Sequence, residues 1–133
     1  MRRRAGKMRH LGLSNLNVRE LNEARRIAPI VSVQNEYNLQ NRAADDVLAA
    51  CEKACLVFIP WFPLGAGRAL RSAKVKRFAA RRGVTPAQVA LAWLLARSPV
   101  MLPIPGTSSI AHLEENASAA LLRLTPEDLA ALG

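Results

Sequence analysis

Two rhythms of apolar residues alternate along this chain. Short unbroken apolar runs are each followed by a longer stretch in which apolar positions return every three or four residues. The first kind reads as a buried strand and the second as an amphipathic helix. The first strand is predicted over residues 9–15, a short buried run ending in the polar pair Ser14-Asn15. Asn17 then stands where a helix cap belongs, with Glu20 at the capping-box position. Val18, Leu21, Ala24 and Ile27 follow at helical spacing, and Pro29 stops the run. A second apolar run, 30–33, leads into Gln34-Asn35-Glu36-Tyr37-Asn38. A helix over about 43–54 comes next, with Val47, Leu48 and Cys51 on one face. The third run, 56–59, ends in Pro60-Trp61-Phe62-Pro63-Leu64-Gly65-Ala66-Gly67.

Residues 73–82 form a basic predicted helix closed by Gly83. Thr85-Pro86-Ala87-Gln88 opens another, with a Thr cap, Pro at the first helical position and Gln at the capping-box position. That helix, through Ala96, is apolar nearly all round, so it is expected to be buried. A fourth strand is predicted over 100–104, ending in Pro105-Gly106-Thr107-Ser108-Ser109. One helix follows to about 120, and a last short one is capped by Thr125 with Pro126. Four strand–helix units without a hairpin signal predict an α/β fold with a parallel sheet and right-handed crossovers. Each strand ends in a polar or aromatic cluster, and in parallel α/β folds that edge is where ligands bind.

Composition narrows the class. The 133 residues are room for one domain, and 50% hydrophobic with 22% charged is a globular mixture rather than a disordered one. No apolar run approaches the roughly 20 residues that span a bilayer. The start, Met1-Arg2-Arg3-Arg4, is basic but has no apolar signal core behind it, so no secretion signal and no membrane partner are expected; the expected cytoplasmic location rests on reduced Cys51 and Cys55. Cys51 and Cys55 fall one turn apart on one face of the predicted helix and read as reduced structural thiols; two ligands do not make a metal site.

The net charge of +9 is unevenly placed. No Asp or Glu occurs between Glu52 and Glu114, while eight Lys or Arg follow Lys53 in that stretch. The excess suits an anionic partner, nucleic acid or a phosphorylated cofactor, and it is equally what a solvated basic surface looks like. Residues 75–90 superficially resemble a helix-turn-helix. After Gln88, however, the second helix reads Val89-Ala90-Leu91-Ala92-Trp93-Leu94-Leu95-Ala96, which holds no side chain able to read a base edge. No nucleic-acid partner is therefore expected.

Four stretches together resemble the aldo-keto reductases. They are Gly6-Lys7-Met8-Arg9-His10-Leu11-Gly12-Leu13-Ser14-Asn15, Val33-Gln34-Asn35-Glu36-Tyr37-Asn38, Ile59-Pro60-Trp61-Phe62-Pro63-Leu64-Gly65, and Leu102-Pro103-Ile104-Pro105-Gly106-Thr107-Ser108 through Leu113-Glu114-Glu115-Asn116. They stand in the family's order at close to its spacing, and the likeness runs from about Gly6 to the end. The family fold is a TIM barrel, and the resemblance implies strands five to eight: a single partial domain over 1–133, the C-terminal half of the barrel. The family transfers hydride between NADP(H) and a small carbonyl or alcohol. Its catalytic tetrad, an Asp, a Tyr acid, a Lys and a His, comes from the first half and has no counterpart here. Tyr37, His10 and His112 are not assigned as catalysts.

The resemblance implies the cofactor side of the reaction. Ser14, Asn15 and Gln34 would hold the nicotinamide carboxamide, for which Asn and Gln supply matched donors and acceptors. Trp61 would stack under the ring, its flat apolar face suiting that role; the plain alternative is core packing. Phe62, Pro63, Leu64, Gly65 and Gly67 match the loop over the pyrophosphate, where glycine lets backbone approach. Gly106, Thr107, Ser108, Ser109 and His112 would meet the adenosine 2′-phosphate at a helix start, and Glu115 and Asn116 the adenine. A simple N-cap would account for one of the three hydroxyls. Gly106 stands where many members have Lys, His112 where many have Arg, and Cys55 where the family usually has Gly. Two readings stay open: part of an enzyme that is inactive without the missing half, or a non-enzymatic truncated paralogue that binds nucleotide or pairs with another half-barrel. Open sheet edges imply self-association.

Overall fold

The computed structural model describes residues 6–133. In chain order its elements are β1 (Leu11–Ser14), α1 (Val18–Ile27), β2 (Ile30–Glu36), α2 (Asp45–Ala54), β3 (Val57–Trp61), α3 (Arg68–Arg71), α4 (Ala73–Arg82), α5 (Pro86–Arg97), α6 (Ile110–Ser118) and α7 (Pro126–Leu132). Short 3₁₀ turns cover Gly65–Gly67 and Ala119–Leu121. The three strands lie side by side in the order β1-β2-β3, all parallel, as the strand–helix alternation predicts. Among the described residues no helix is long and apolar enough to cross a membrane.

The fourth predicted strand shrinks to one parallel bridge, Phe58 to Met101. Phe58 N–H donates to the Val100 carbonyl at 2.8 Å, and Leu102 N–H donates to the Phe58 carbonyl at 2.8 Å. The ladder stops there because Pro103 and Pro105 have no N–H to continue it. The first strand is shorter and less buried than predicted: Leu11 and Leu13 are half-buried, and Gly12 and Ser14 are exposed.

Local caps form as the sequence implies. Asn17 with Glu20 and Thr85 with Gln88 close full capping boxes, and Thr125 caps α7. Three expectations need correction. Ile27 is 74% exposed, not on the core stripe. At about 100° per residue, a strict three-residue repeat drifts some 60° backwards at each step, so two steps past buried Leu21 the side chain has left the sheet. Helix α2 begins at Asp45, with Ala44 in the cap position and no side chain capping it. Cys51 and Cys55 do not share a helix face: Cys51 is in the core, while Cys55 has left the helix as a left-handed cap with φ 52° and is exposed.

The core lies between the helices and one face of the sheet. Leu21 from α1, Val47, Leu48 and Cys51 from α2, Phe78 from α4 and Trp93 from α5 pack against Val33 and Phe58 of the strands. Tyr37 stacks on Trp93 at 6.1 Å and meets Phe58 edge-on at 5.7 Å. Helix α5 is buried from Val89 through Leu94. The opposite face is open. On it Ser14 pairs with Gln34 and Gln34 with Ile59, while Glu36 pairs with Trp61.

Candidate functional site

The cluster at the ends of β1, β2 and β3 gathers residues far apart in sequence. Asn15 continues the ladder past β1, donating its N–H to the Gln34 carbonyl at 2.9 Å from a left-handed backbone, φ 55°. Asn is one of the few residues that adopt that conformation readily. The Ser14 hydroxyl donates to the same carbonyl at 2.9 Å. The Trp61 indole N–H donates to Asn15 Oδ1 at 2.8 Å. Strands β1 and β3 are not neighbours; at about 4.8 Å per strand spacing they stand some 9–10 Å apart. The indole therefore lies across the end of β2. Hydrogen bonds thus gather Ser14, Asn15 and Trp61 around the end of β2, and Gln34, which alternates with buried Val33 and Asn35, lies on the open face.

Two buried asparagines hold this edge in shape, and the sequence reading assigned neither a role. Asn35, on the helix-covered side of β2, grips Leu16 at both ends: its Oδ1 accepts from Leu16 N–H at 3.2 Å and its Nδ2 donates to the Leu16 carbonyl at 2.8 Å. That fixes the loop carrying Asn15. Asn38, fully buried, donates to the Phe62 carbonyl at 3.1 Å and accepts from the N–H groups of Gln40 and Asn41. The available signal was an amide side chain at the buried end of an apolar strand, which must have partners.

Beyond β3 the backbone is unusual. Phe62 (φ 58°), Gly65 (57°), Ala66 (51°) and Gly67 (78°) are all left-handed. Glycine bears this without strain; Phe62 and Ala66 each carry a penalty on the order of 1–3 kcal/mol, the kind of strain that concentrates at functional sites. Phe62 stays half-exposed, edge-on to Trp61 at 5.6 Å.

A cleft of about 180 Å³ lies at the far end of the same edge, lined by Leu64, Leu70, Ala87, Gly106, Thr107, His112, Glu115 and Asn116. It unites six residues singled out from two motifs and adds Leu70 and Ala87, which sequence reasoning missed because small apolar linings carry no motif. At below the ~300 Å³ usual for a whole small-molecule site, it is sized for one moiety. Phe62, Pro63, Gly65, Gly67, Ser108 and Ser109 lie outside its lining. Two hydroxyls are already engaged locally: Ser109 Oγ caps α6 by accepting from His112 N–H at 3.4 Å, and Thr107 Oγ1 accepts from Ser109 N–H at 3.1 Å. Glu115 is docked from below, accepting the Thr85 hydroxyl, while Gln88 reaches Ser118 at 2.6 Å and ties α5 to α6. A Cβ built on Gly106 would meet nothing within 4 Å, so a side chain has room there.

Tyr37 stays out of this site. It is buried on the helix side, where it donates to Asp45 and accepts from Arg97 Nε at 3.2 Å. Burial, then the bond to Asp45, pushes its hydroxyl up to about 12. Burial likewise lifts the Cys51 thiol to about 11.

The sequence model described as the Aldo/keto reductase family matches residues 2–133. Over 127 residues the chain is 50% identical to pyridoxine 4-dehydrogenase of Escherichia coli, covering 96% of this chain and 44% of that protein. Over 131 residues it is 44% identical to an uncharacterised oxidoreductase of Schizosaccharomyces pombe, covering 98% and 43%. Among solved structures, the aldo/keto reductase from Klebsiella pneumoniae in complex with NADP and acetate superposes with a TM-score of 0.89 at 34% identity, over 97% of this chain and 48% of that one. The chain spans somewhat under half the length of these curated relatives.

Proposed function

This chain belongs to the aldo/keto reductase family, and from that premise we propose that it is the NADP(H)-binding, C-terminal half of a barrel oxidoreductase. The observation that carries the reading is the continuous edge from Asn15 to Asn116. A flat indole held by the Asn15 amide oxygen, with Gln34 on the open face, stands at one end, and a one-moiety cleft at the start of α6 at the other. The residues fit the cofactor. Asn15 and Gln34 retain donors and an acceptor for a carboxamide beside Trp61. Ser108, with the N–H groups opening α6, offers neutral donors to a 2′-phosphate near Thr107 and His112. The cofactor would supply the hydride chemistry; these residues would orient it.

The substrate is a small carbonyl or alcohol, and proton transfer falls to groups outside this chain. General acid catalysis commonly contributes ~10²–10⁴-fold, so the isolated chain is expected to bind cofactor without reducing carbonyls. Pyridoxine, from the name of the Escherichia coli relative, is the first substrate to try once a complete barrel is assembled. The direct test is calorimetric titration with NADPH and NADH, beside an NADPH-oxidation assay with 4-nitrobenzaldehyde. Selective NADPH binding without turnover is expected; turnover by the purified chain, or no nucleotide binding, would overturn the reading.

A further inference from the structure

Glu36 ends β2 and pairs with Trp61 in the sheet. It alternates with Asn35 and Tyr37, both buried on the helix side, so its side chain shares the open face with Gln34. The Trp61 indole, anchored to Asn15, crosses the end of β2 where Glu36 stands. The ion pairs among the described residues use Glu23, Asp45 and Asp128 and leave the Glu36 carboxylate without a cation, in a chain of net charge +9. A negative charge thus sits beside an aromatic platform whose other neighbours, Ser14, Asn15 and Gln34, are neutral.

We infer that Glu36 makes this site hold the oxidised, cationic nicotinamide more tightly than the reduced, neutral one. The inference rests on the cofactor reading above. The two cofactor forms share their phosphates and adenine and differ in one positive charge on the ring. A discriminating group must therefore stand near the ring, and Glu36 is the anionic side chain at that point of the open face. Opposite charges about 6 Å apart in a half-solvated setting change a binding constant by roughly tenfold. A residue that only supported the fold would affect both forms alike.

The experiment titrates the protein with NADP⁺ and with NADPH by calorimetry, for the wild type, Glu36→Gln and Glu36→Asp. Glu36→Gln is expected to weaken NADP⁺ roughly tenfold and to leave NADPH within about twofold. Glu36→Asp, which keeps the charge, should retain most of the preference. Equal losses for both forms, or no loss for either, would overturn the inference while leaving the cofactor reading intact. Failure of the wild type to bind either form would overturn both.

Discussion

The Asn35 clamp offers a direct link between a buried hydrogen bond and the edge proposed to hold the cofactor. Its side chain makes two bonds to the Leu16 backbone, at 3.2 and 2.8 Å, and is itself buried. Each bond contributes about 1 kcal/mol net, and truncation leaves a part-buried N–H and carbonyl unpaired. Asn35→Ala should therefore destabilise the fold by about 2–3 kcal/mol. Asn35→Asp separates the two bonds. Its carboxylate can still accept from Leu16 N–H, but it faces the Leu16 carbonyl with no proton to donate. The cost should be ~3 kcal/mol or more at neutral pH, because a largely buried carboxylate is desolvated and repelled by the Leu16 carbonyl, and it should shrink at acid pH, where a protonated carboxyl can donate again. Urea unfolding at pH 7 and pH 4 measures both. NADPH titration of the variants, under conditions where they remain folded, reads the loop: loosened Leu16 frees Asn15, so affinity should fall more than twofold. Equal destabilisation by Ala and Asp at both pH values would refute the clamp. Unchanged NADPH affinity in a folded Asn35→Ala protein would refute its link to the site.

Other expectations follow from particular positions. Cys55→Gly should stabilise the protein by about 0.5–1 kcal/mol, because relief of a left-handed non-glycine, ~1–2 kcal/mol, exceeds the added chain entropy of glycine; a melting temperature no higher than wild type would contradict this. Alkaline stability should fall in two steps. Cys51, raised from 9.0 to about 11, and Tyr37, raised from 10.0 to about 12, both keep their protons longer folded than unfolded. Their contributions are complete below pH 9 and pH 10 and are lost as pH rises through 11 and 12, by up to ~2–3 kcal/mol each; urea midpoints of Cys51→Ala and Tyr37→Phe across that window should each lose one step. Gly106→Lys has open space beside the cleft and should tighten NADPH over NADH by about five- to tenfold, with His112→Arg acting likewise. Equal gains for both cofactors would mean that neither residue faces the 2′-phosphate.

What the sequence determined by itself was whatever a few neighbouring residues decide. The caps at Asn17, Thr85 and Thr125 depend on partners three positions away, and all three form. The parallel order follows from alternating periods with no hairpin turn between them. The four motifs proposed for the cofactor were legible because each ends an apolar run. Tertiary structure decided the rest, through contacts that chain spacing does not encode. Ile27 became exposed because a helix has one direction towards its sheet. The strand at Met101 stopped where two prolines withheld donors. Trp61 was joined to Asn15 across β2, and Glu115 was docked to Thr85 thirty residues away. The roles of Asn35 and Asn38 emerged only from the loops they grip. Sequence could name the residues of this edge, since their chemistry is their own. Which of their atoms remain free for a ligand depended on which neighbours the fold brought within hydrogen-bonding distance.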